Sequence, residues 1–473
     1  MSTESSSMPS VPVAPPSRRD IALALRDERD RTLDLIAPLS EDALTRQHDS
    51  LMSPIVWDLG HIGAFEELWL VRRPGEVTSE SELDDVYDAF RTPRSARGDL
   101  VLPDPAAVLE RMAEVRGEVL ARLAAVDLES TNRLLHGAFA WELVRRHEAQ
   151  HQETILQTVM LMTSEAYEPL RRRDEPEVTG AAPPPPVVTT GSPDLMIRVP
   201  AGPFHMGAPA VGFAYDNERP RRRVHVEAFE IGRYPVTNAE YVEFIAAGGY
   251  TDRRLWTDEG WAWAREAGLA APKYWVSAAS GEPLPPEQAR ETSRDEGAAG
   301  WIRRTSLGSE PLSPDVPVIH VCCHEAGAFA RFASARLPSE AEWEKAAAWD
   351  PDSPDSRTYP WGDEAPTARL ANLDQLAFGP ARVGSRPMGR SAVGCEALLG
   401  DVWEWTSSTF MPYDGFEAFP YREYSDVFFG PDYRVLRGGS WATRPSVARN
   451  TFRNWDYPIR RQIFAGLRLA RDA

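Results

Sequence analysis

Cysteine is scarce in this chain: Cys322, Cys323 and Cys395 are the only three in 473 residues. Three thiols cannot build a disulfide framework, and none has zinc-finger spacing, so the composition suits a reducing cytoplasm. Long apolar runs are missing too, and none approaches the ~20 residues that span a bilayer. Positive charge is in short supply, with 52 Lys and Arg against 71 Asp and Glu and a net charge of −19. Such a surface repels nucleic acid and anionic membranes at long range, which disfavours both as main partners and leaves a small-molecule substrate as the better expectation. Residues 1–17 are rich in Ser and Pro and lack a basic segment leading into an apolar one, so they read as a disordered tail and not a signal peptide.

A chain of this length exceeds one hydrophobic core and suits two domains. Between Arg18 and Leu39 apolar residues recur at helical spacing (Ile21, Leu23, Leu25, Leu33, Ile36). Ser53 and Pro54 supply an N-cap and a first-turn proline for a second helix reaching about Val71. A third helix is predicted over Pro105 to Ala125 and a long fourth from Thr131 to about Ser164. Four amphipathic segments within 18–170 make a helical bundle. Residues 171–192 pass from acidic to proline-rich, with Pro183 to Pro186 consecutive, and read as an extended linker.

From 193 to 473 the texture changes to short strand-like pieces, Gly and Pro turns and most of the tryptophans, giving an α+β chain overall whose second domain has little regular structure. Arg222 to Tyr234 alternates like strand. Short helices are predicted over Asn238 to Ala246, Cys323 to Ala335 and Ser339 to Ala348. The segment from Gly260 to Gly308 mixes charged, small and Pro residues and reads as irregular connection. Packing accounts for most of the tryptophan-rich blocks. The Cys322 and Cys323 pair sits at a helix start, where packing is the expected role.

The fourth helix carries His147-Glu148-Ala149-Gln150-His151-Gln152-Glu153. Residues four apart share a helix face, so His147 and His151 project side by side and can hold one metal ion. The string also matches the His-Glu-x-x-His of zinc hydrolases, with Glu148 as general base. Three readings follow from the residues: a zinc site, structural histidines, or another transition-metal site. Glu148 points roughly 100° away from the histidine face and has no assigned role. Glu153 either orients a ligand histidine or is a helix-surface charge. His61, in the second helix among Trp57, Leu59 and Phe65, is by itself a hydrogen-bonded core histidine, but a bundle can bring it opposite the pair.

Six motifs in the second half carry a resemblance: Phe204-His205-Met206-Gly207, Pro235-Val236-Thr237-Asn238, Arg336 to Glu344, Tyr359-Pro360-Trp361-Gly362, Gly400 to Trp405 and Arg437-Gly438-Gly439-Ser440-Trp441. Residues 195 to 471 resemble the formylglycine-generating-enzyme-like, C-type-lectin-related fold. The first domain resembles a DinB-type bundle, in which an early histidine meets a His-x-x-x-His-x-Glu of the last helix. The fusion of the two resembles the iron-dependent sulfoxide synthases of thiohistidine biosynthesis, most closely those of the ergothioneine pathway, and covers nearly the whole chain.

That resemblance implies His61, His147 and His151 as ligands of Fe(II), with positions left open for a thiolate, dioxygen and a second substrate. It implies hercynine, the trimethylammonium betaine of histidine, as one substrate, contacted by Gln150, Asn454 and Trp455. The other implied substrate is γ-glutamylcysteine, with Arg94 and Arg97 meeting carboxylates, Asp456 the ammonium and Arg460 a further carboxylate. Without the resemblance, Arg94 and Arg97 read as a solvated basic loop and Trp455 as a core aromatic. Tyr421 is implied as the catalytic proton donor, with Tyr424 its rival in the same motif. The pattern departs from formylglycine generation, whose paired cysteines lie near the Gly-Gly-Ser-Trp motif, because no cysteine follows Cys395 here. A related synthase using free cysteine, a zinc hydrolase and a non-catalytic binding module are the alternatives.

Overall fold

Ser17 sets where the first helix begins: its hydroxyl accepts from the Asp20 amide, and the Asp20 carboxylate accepts from the Ser17 amide. The computed structural model describes residues 16–72, 82–162, 167–170 and 195–473. All but the last two residues of the expected tail over 1–17 lie outside the described residues, as does the whole expected linker over 171–192. The first part of the chain forms α1 (Arg18–Ile36), α2 (Glu41–Thr45), α3 (Ile55–Glu67), α4 (Glu82–Tyr87), α5 (Pro105–Leu123) and α6 (Phe139–Leu161).

The four long helices fall where apolar periodicity puts them, but two starts differ. Pro54 caps α3 without a side-chain bond, and the Ser53 hydroxyl, read from sequence as that cap, accepts from Arg97 Nη1 at 2.7 Å. The fourth long helix begins at Phe139 and not at Thr131, because Gly137 and Ala138 both take positive φ, 58° and 63°, and break the path. Helix α6 packs against α1 and α3, and α3 against α5. Apolar stripes meet there, Leu25, Val119 and Leu143 towards one end and Leu35, Leu59, Ile155 and Leu156 towards the other. Burying each such side chain contributes about 1.5–3 kcal/mol.

A buried ionic cluster crosses this bundle. Arg29 of α1 and Arg116 of α5 each bond both Glu66 of α3 and Glu148 of α6. Every long helix supplies one member.

Beyond residue 195 the strands are short: β1 (Met196–Val199), β2 (Gly202–Met206), β3 (Arg222–Val226), β4 (Phe229–Gly232), β5 (Trp275–Ser277), β6 (Trp301–Thr305), β7 (Gly308–Pro311), β8 (Trp403–Thr409), β9 (Arg434–Arg437), β10 (Asn454–Asp456), β11 (Ala465–Gly466) and β12 (Ala470–Asp472). Strand β4 lies between β1 and β12, so the two ends of this region close on one sheet. A second sheet has the order β10-β9-β8-β11. Helices α7 (Asn238–Ala246), α8 (Asp258–Glu266), α9 (Pro286–Glu296), α10 (Cys323–Phe332) and α11 (Glu340–Ala348) pack around them.

The segment from 260 to 308 is more regular than its sequence suggests. It holds most of α8, then β5, α9 and β6; β5 and β6 pair antiparallel, and β6 pairs antiparallel with β7 on its other side. Thr257 caps α8, and Pro286 opens α9. Only Ala289 and Ser293 of α9 are buried, so its sequence carries almost no apolar period to read.

The motifs of this half are mostly ionic core. Arg437 bonds Glu340 and Glu344, Arg453 bonds Glu340, and Glu404 accepts from both Trp343 Nε1 and Arg468. Gly438 has φ +97°, and a Cβ there would stand 2.4 Å from the Leu398 carbonyl oxygen, so the Arg-Gly-Gly-Ser turn requires glycine. That turn delivers Ser440 to the bundle. Ser440 Oγ and Trp403 Nε1 donate to Glu153 Oε1 at 3.0 and 2.6 Å, and Thr443 Oγ1 donates to Glu153 Oε2 at 2.7 Å. Arg444 reaches Glu28 of α1, and Ile319, Trp441 and Phe464 share one apolar cluster with Ile62 and Ile155. Cys322 caps α10 and is buried; burial raises its thiol pKa well above the ordinary value, in keeping with packing. Among the described residues no helix is long and apolar enough to cross a membrane.

Candidate metal centre

Helices α3 and α6 bring three imidazoles to one point. The ring centroids of His61, His147 and His151 are 4.6 to 4.9 Å apart, and one ligand atom from each falls within 4.8 Å of the others. His61 Nε2 stands 3.1 Å from His147 Nε2. Two nitrogens each about 2.1 Å from a shared ion and at right angles to one another stand about 3 Å apart, so this spacing fits adjacent ligands.

The far nitrogens set the tautomers. His61 Nδ1 donates to the Tyr87 carbonyl at 2.7 Å, and His151 Nδ1 donates to Asp58 Oδ1 at 3.1 Å. Each ring is left with its Nε2 lone pair for the shared point. Burial, then the neighbouring imidazoles, holds His61 down at about 3 and His147 well below the ordinary histidine value. Neutral rings with lone pairs directed inward are what a divalent cation requires.

Glu148 takes no part. It is fully buried, and its carboxylate accepts from Arg29 Nε at 2.7 Å, Arg116 Nη2 at 2.8 Å and Thr32 Oγ1 at 2.9 Å. A carboxylate so engaged is not free to take a proton from water, which removes the base that a zinc hydrolase needs. Glu153 neither orients a ligand histidine nor lies on a solvated surface, since its bonds all go to Trp403, Ser440 and Thr443. Helical periodicity gives its direction but not what lies opposite. The outer partners are instead Asp58 and the Tyr87 carbonyl. Asp58 carries one usable signal, a carboxylate three residues before His61 on the same face of α3.

Aromatic rings wall the site. Trp57 stacks on His61 at 5.0 Å and Phe65 on His147 at 3.7 Å, both with 11° between planes. Tyr421 comes next, 6.1 Å from Phe65 and 5.2 Å from Trp69. Burial, with Tyr215 and Asp216 nearby, raises its phenol well above the ordinary value and keeps it protonated. Tyr424 lies 6.2 Å from Tyr421, stacks on Tyr215 at 4.2 Å and meets Trp455 edge-on at 6.0 Å. Gln150 Nε2 donates to the Tyr215 hydroxyl, a contact with no mark in the sequence. Trp455 stacks on Phe410 at 4.2 Å, and Asn454 Oδ1 accepts from the Trp455 amide.

The charged residues divide into two kinds. Arg97 is buried, donates to Ser53 Oγ and to the Thr92 and Ala89 carbonyls, and lies 3.5 Å over the Trp57 ring. Arg94 is exposed, and its charge acts on both His61 and Asp456. Asp456 and Arg460 pair with each other at 3.3 Å.

Two families match the chain: the DinB superfamily over residues 24–155 and the sulfatase-modifying factor enzyme 1-like domain over residues 182–473. The chain is 47% identical over 472 residues to the hercynine oxygenase of Mycolicibacterium thermoresistibile, covering 97% of this chain and 96% of that protein. The chain belongs to the hercynine oxygenase family. Another hercynine oxygenase, from Mycobacterium tuberculosis, is 44% identical over 464 residues, 96% of this chain and 99% of that one. Ergothioneine biosynthesis protein 1 of Neurospora crassa is 24% identical over 511 residues, 92% of this chain and 55% of its own length. As a hercynine oxygenase family member the protein is an oxygen-dependent oxidoreductase.

Proposed function

We propose that His61, His147 and His151 hold ferrous iron, and that the site they form joins the sulfur of γ-glutamylcysteine to an imidazole carbon of hercynine, the S–H and C–H bonds breaking while dioxygen takes the four electrons and ends as the sulfoxide oxygen and one water. The carrying observation is the set of three imidazoles converging on one point beside the second domain. The family's chemistry is sulfoxide synthesis in ergothioneine biosynthesis. Iron there supplies one-electron chemistry with dioxygen and room for further ligands. The free thiols suit a reducing cytoplasm, where we place the reaction.

Asp456 and Arg460 form a ready template for an amino-acid head group. An incoming α-ammonium and α-carboxylate replace each half of that pair with its opposite charge, so no ion is left bare. Arg94 has its guanidinium at the surface and takes the remaining carboxylate, while Arg97 shapes the loop and adds charge. Gln150, Asn454 and Trp455 serve hercynine, the indole facing its quaternary ammonium. Arg94→Ala removes one charge-assisted bond of about 1.5–3 kcal/mol. The dipeptide KM rises roughly tenfold or more, with the KM for cysteine little changed; equal effects on both thiols would refute this assignment.

Tyr421 holds a phenolic proton beside the metal-facing wall and supplies it to the oxygen side of the reaction, favouring coupling over oxidation of the thiol to sulfinic acid. Tyr421→Phe keeps iron and both substrates but raises sulfinic acid relative to sulfoxide about tenfold, since ~1.4 kcal/mol between competing barriers has that effect. A shift with Tyr424→Phe and none with Tyr421→Phe would transfer the role to Tyr424. The deciding experiment supplies hercynine, Fe(II) and oxygen with either thiol. Sulfoxide forms, faster with γ-glutamylcysteine; equal rates with cysteine would favour the free-cysteine alternative, and no sulfoxide would end the proposal.

A further inference from the structure

Asp58 combines two features that a purely structural carboxylate lacks. It is almost fully buried, 1% exposed, and it touches a metal-facing histidine from behind, Oδ1 to His151 Nδ1 at 3.1 Å. Its other oxygen, Oδ2, has no hydrogen-bond partner among the described residues. A buried polar group without a partner is destabilising, and more so when charged. Glu148, only three residues from His151, shows the ordinary solution in this bundle, with both oxygens bonded to guanidiniums.

Two arginines and two aspartates lie around this point, Arg94 and Arg97 with Asp58 and Asp88. Arg94 and Arg97 both push the His61 pKa down, and Asp58 in turn acts on the buried Arg97, partly offsetting the desolvation that lowers the guanidinium to about 10. A divalent cation held by the three rings adds positive charge there. His61 has only the neutral Tyr87 carbonyl behind it. Asp58 is the carboxylate in direct contact with one of the three rings.

We propose that Asp58 is the positioning residue of the metal centre, fixing His151 with its Nε2 towards the ion and supplying the negative charge that makes the oxidised metal easier to reach. This rests on the metal reading above. Asp58 touches no substrate in it; it acts through His151. An asparagine at this place keeps an oxygen acceptor of the same shape and loses only the charge, and a glutamate keeps the charge and misplaces it.

The test uses the full-length protein, stripped of metal and titrated anaerobically with Fe(II), followed by measurement of the Fe(III)/Fe(II) midpoint potential. For Asp58→Asn the dissociation constant for Fe(II) rises about 10–100-fold, the range typical of a lost outer partner. The midpoint potential moves positive, because the ferric state loses a stabilising charge, while the melting temperature of the metal-free protein does not fall. Asp58→Glu weakens Fe(II) binding but holds the potential nearer the unmodified value, and it carries the test if the asparagine variant does not fold. Unchanged affinity and potential in Asp58→Asn would overturn the proposal. So would a lower melting temperature with the potential unmoved, which is the mark of a structural role. If the unmodified protein itself binds no Fe(II), the metal reading fails first, and that result is separate from any difference between variants.

Discussion

His147→Ala is expected to abolish metal binding and turnover while the region beyond residue 195 stays folded. His147 is central to the three rings, with its Nε2 3.1 Å from that of His61 and its centroid 4.6 Å from that of His151. Its loss leaves two imidazoles, and the effect exceeds the ~10–100-fold that losing an outer partner brings. The second region keeps its own cores, such as Val199, Phe204, Ile231 and Trp343, and its own ion pairs around Arg437 and Arg468. Metal analysis beside near-ultraviolet circular dichroism checks both halves of this result. Full iron occupancy and normal turnover in His147→Ala would remove it from the ligand set; zinc with peptidase activity in the unmodified protein would restore the hydrolase alternative.

Glu148→Gln is the substitution expected to destabilise the bundle most without touching the centre. Glu66 and Glu148 balance Arg29 and Arg116 inside the four long helices, so removing one negative charge leaves an uncompensated buried cation. Breaking a buried pair from one side costs about 3–5 kcal/mol. There is a pH signature as well. Burial pushes the Glu148 carboxyl up, but Arg29, Arg116 and Thr32 outweigh it and the net direction is down. A carboxyl lowered on folding contributes stability that is present above its unfolded value of 4.5 and lost as pH falls towards the lowered folded value. The unmodified protein therefore loses stability in acid below about 4.5 more steeply than Glu148→Gln does. Denaturant unfolding followed by circular dichroism at pH 7 and at lower pH measures both effects; equal midpoints at pH 7 would refute the assignment.

Much of the bundle is legible in the sequence because α1 and α5 bury one face and α3 is apolar along most of its length. The apolar period of α1, α3, α5 and α6 is written in Leu25, Leu59, Val119 and Ile155, and a spacing of four puts His147 beside His151 on any helix. What lies opposite a helix face is not written there. From its place on α6, Glu153 reads equally as a ligand's orienting partner or as a surface charge, and the packing of that helix against the second region makes it neither, bonding it to Trp403, Ser440 and Thr443. The partner of Asp58 is likewise on another helix, so its spacing from His61 marks its face but not its contact with His151. The stretch from 260 to 308 escaped because α9 is polar nearly throughout and is held by its cap and by what packs on Ala289. Arg97 looked like solvated surface from composition, yet its donors close its own loop and its face lies on Trp57.

The three bonds to Glu153 also bear on inheritance. A chimaera that joined residues up to 170 from this protein to the second region of a relative would be sound only if Trp403, Ser440 and Thr443, or groups with the same donors, came with the new half. Otherwise donors or acceptors are stranded at the join, at about 1–3 kcal/mol for each one buried. Arg444 extends the matched set, since it bonds Glu28 and Asp27 of α1. The halves are thus not interchangeable parts: a change on one side of this seam has to be answered on the other, two residues along the helix from His151.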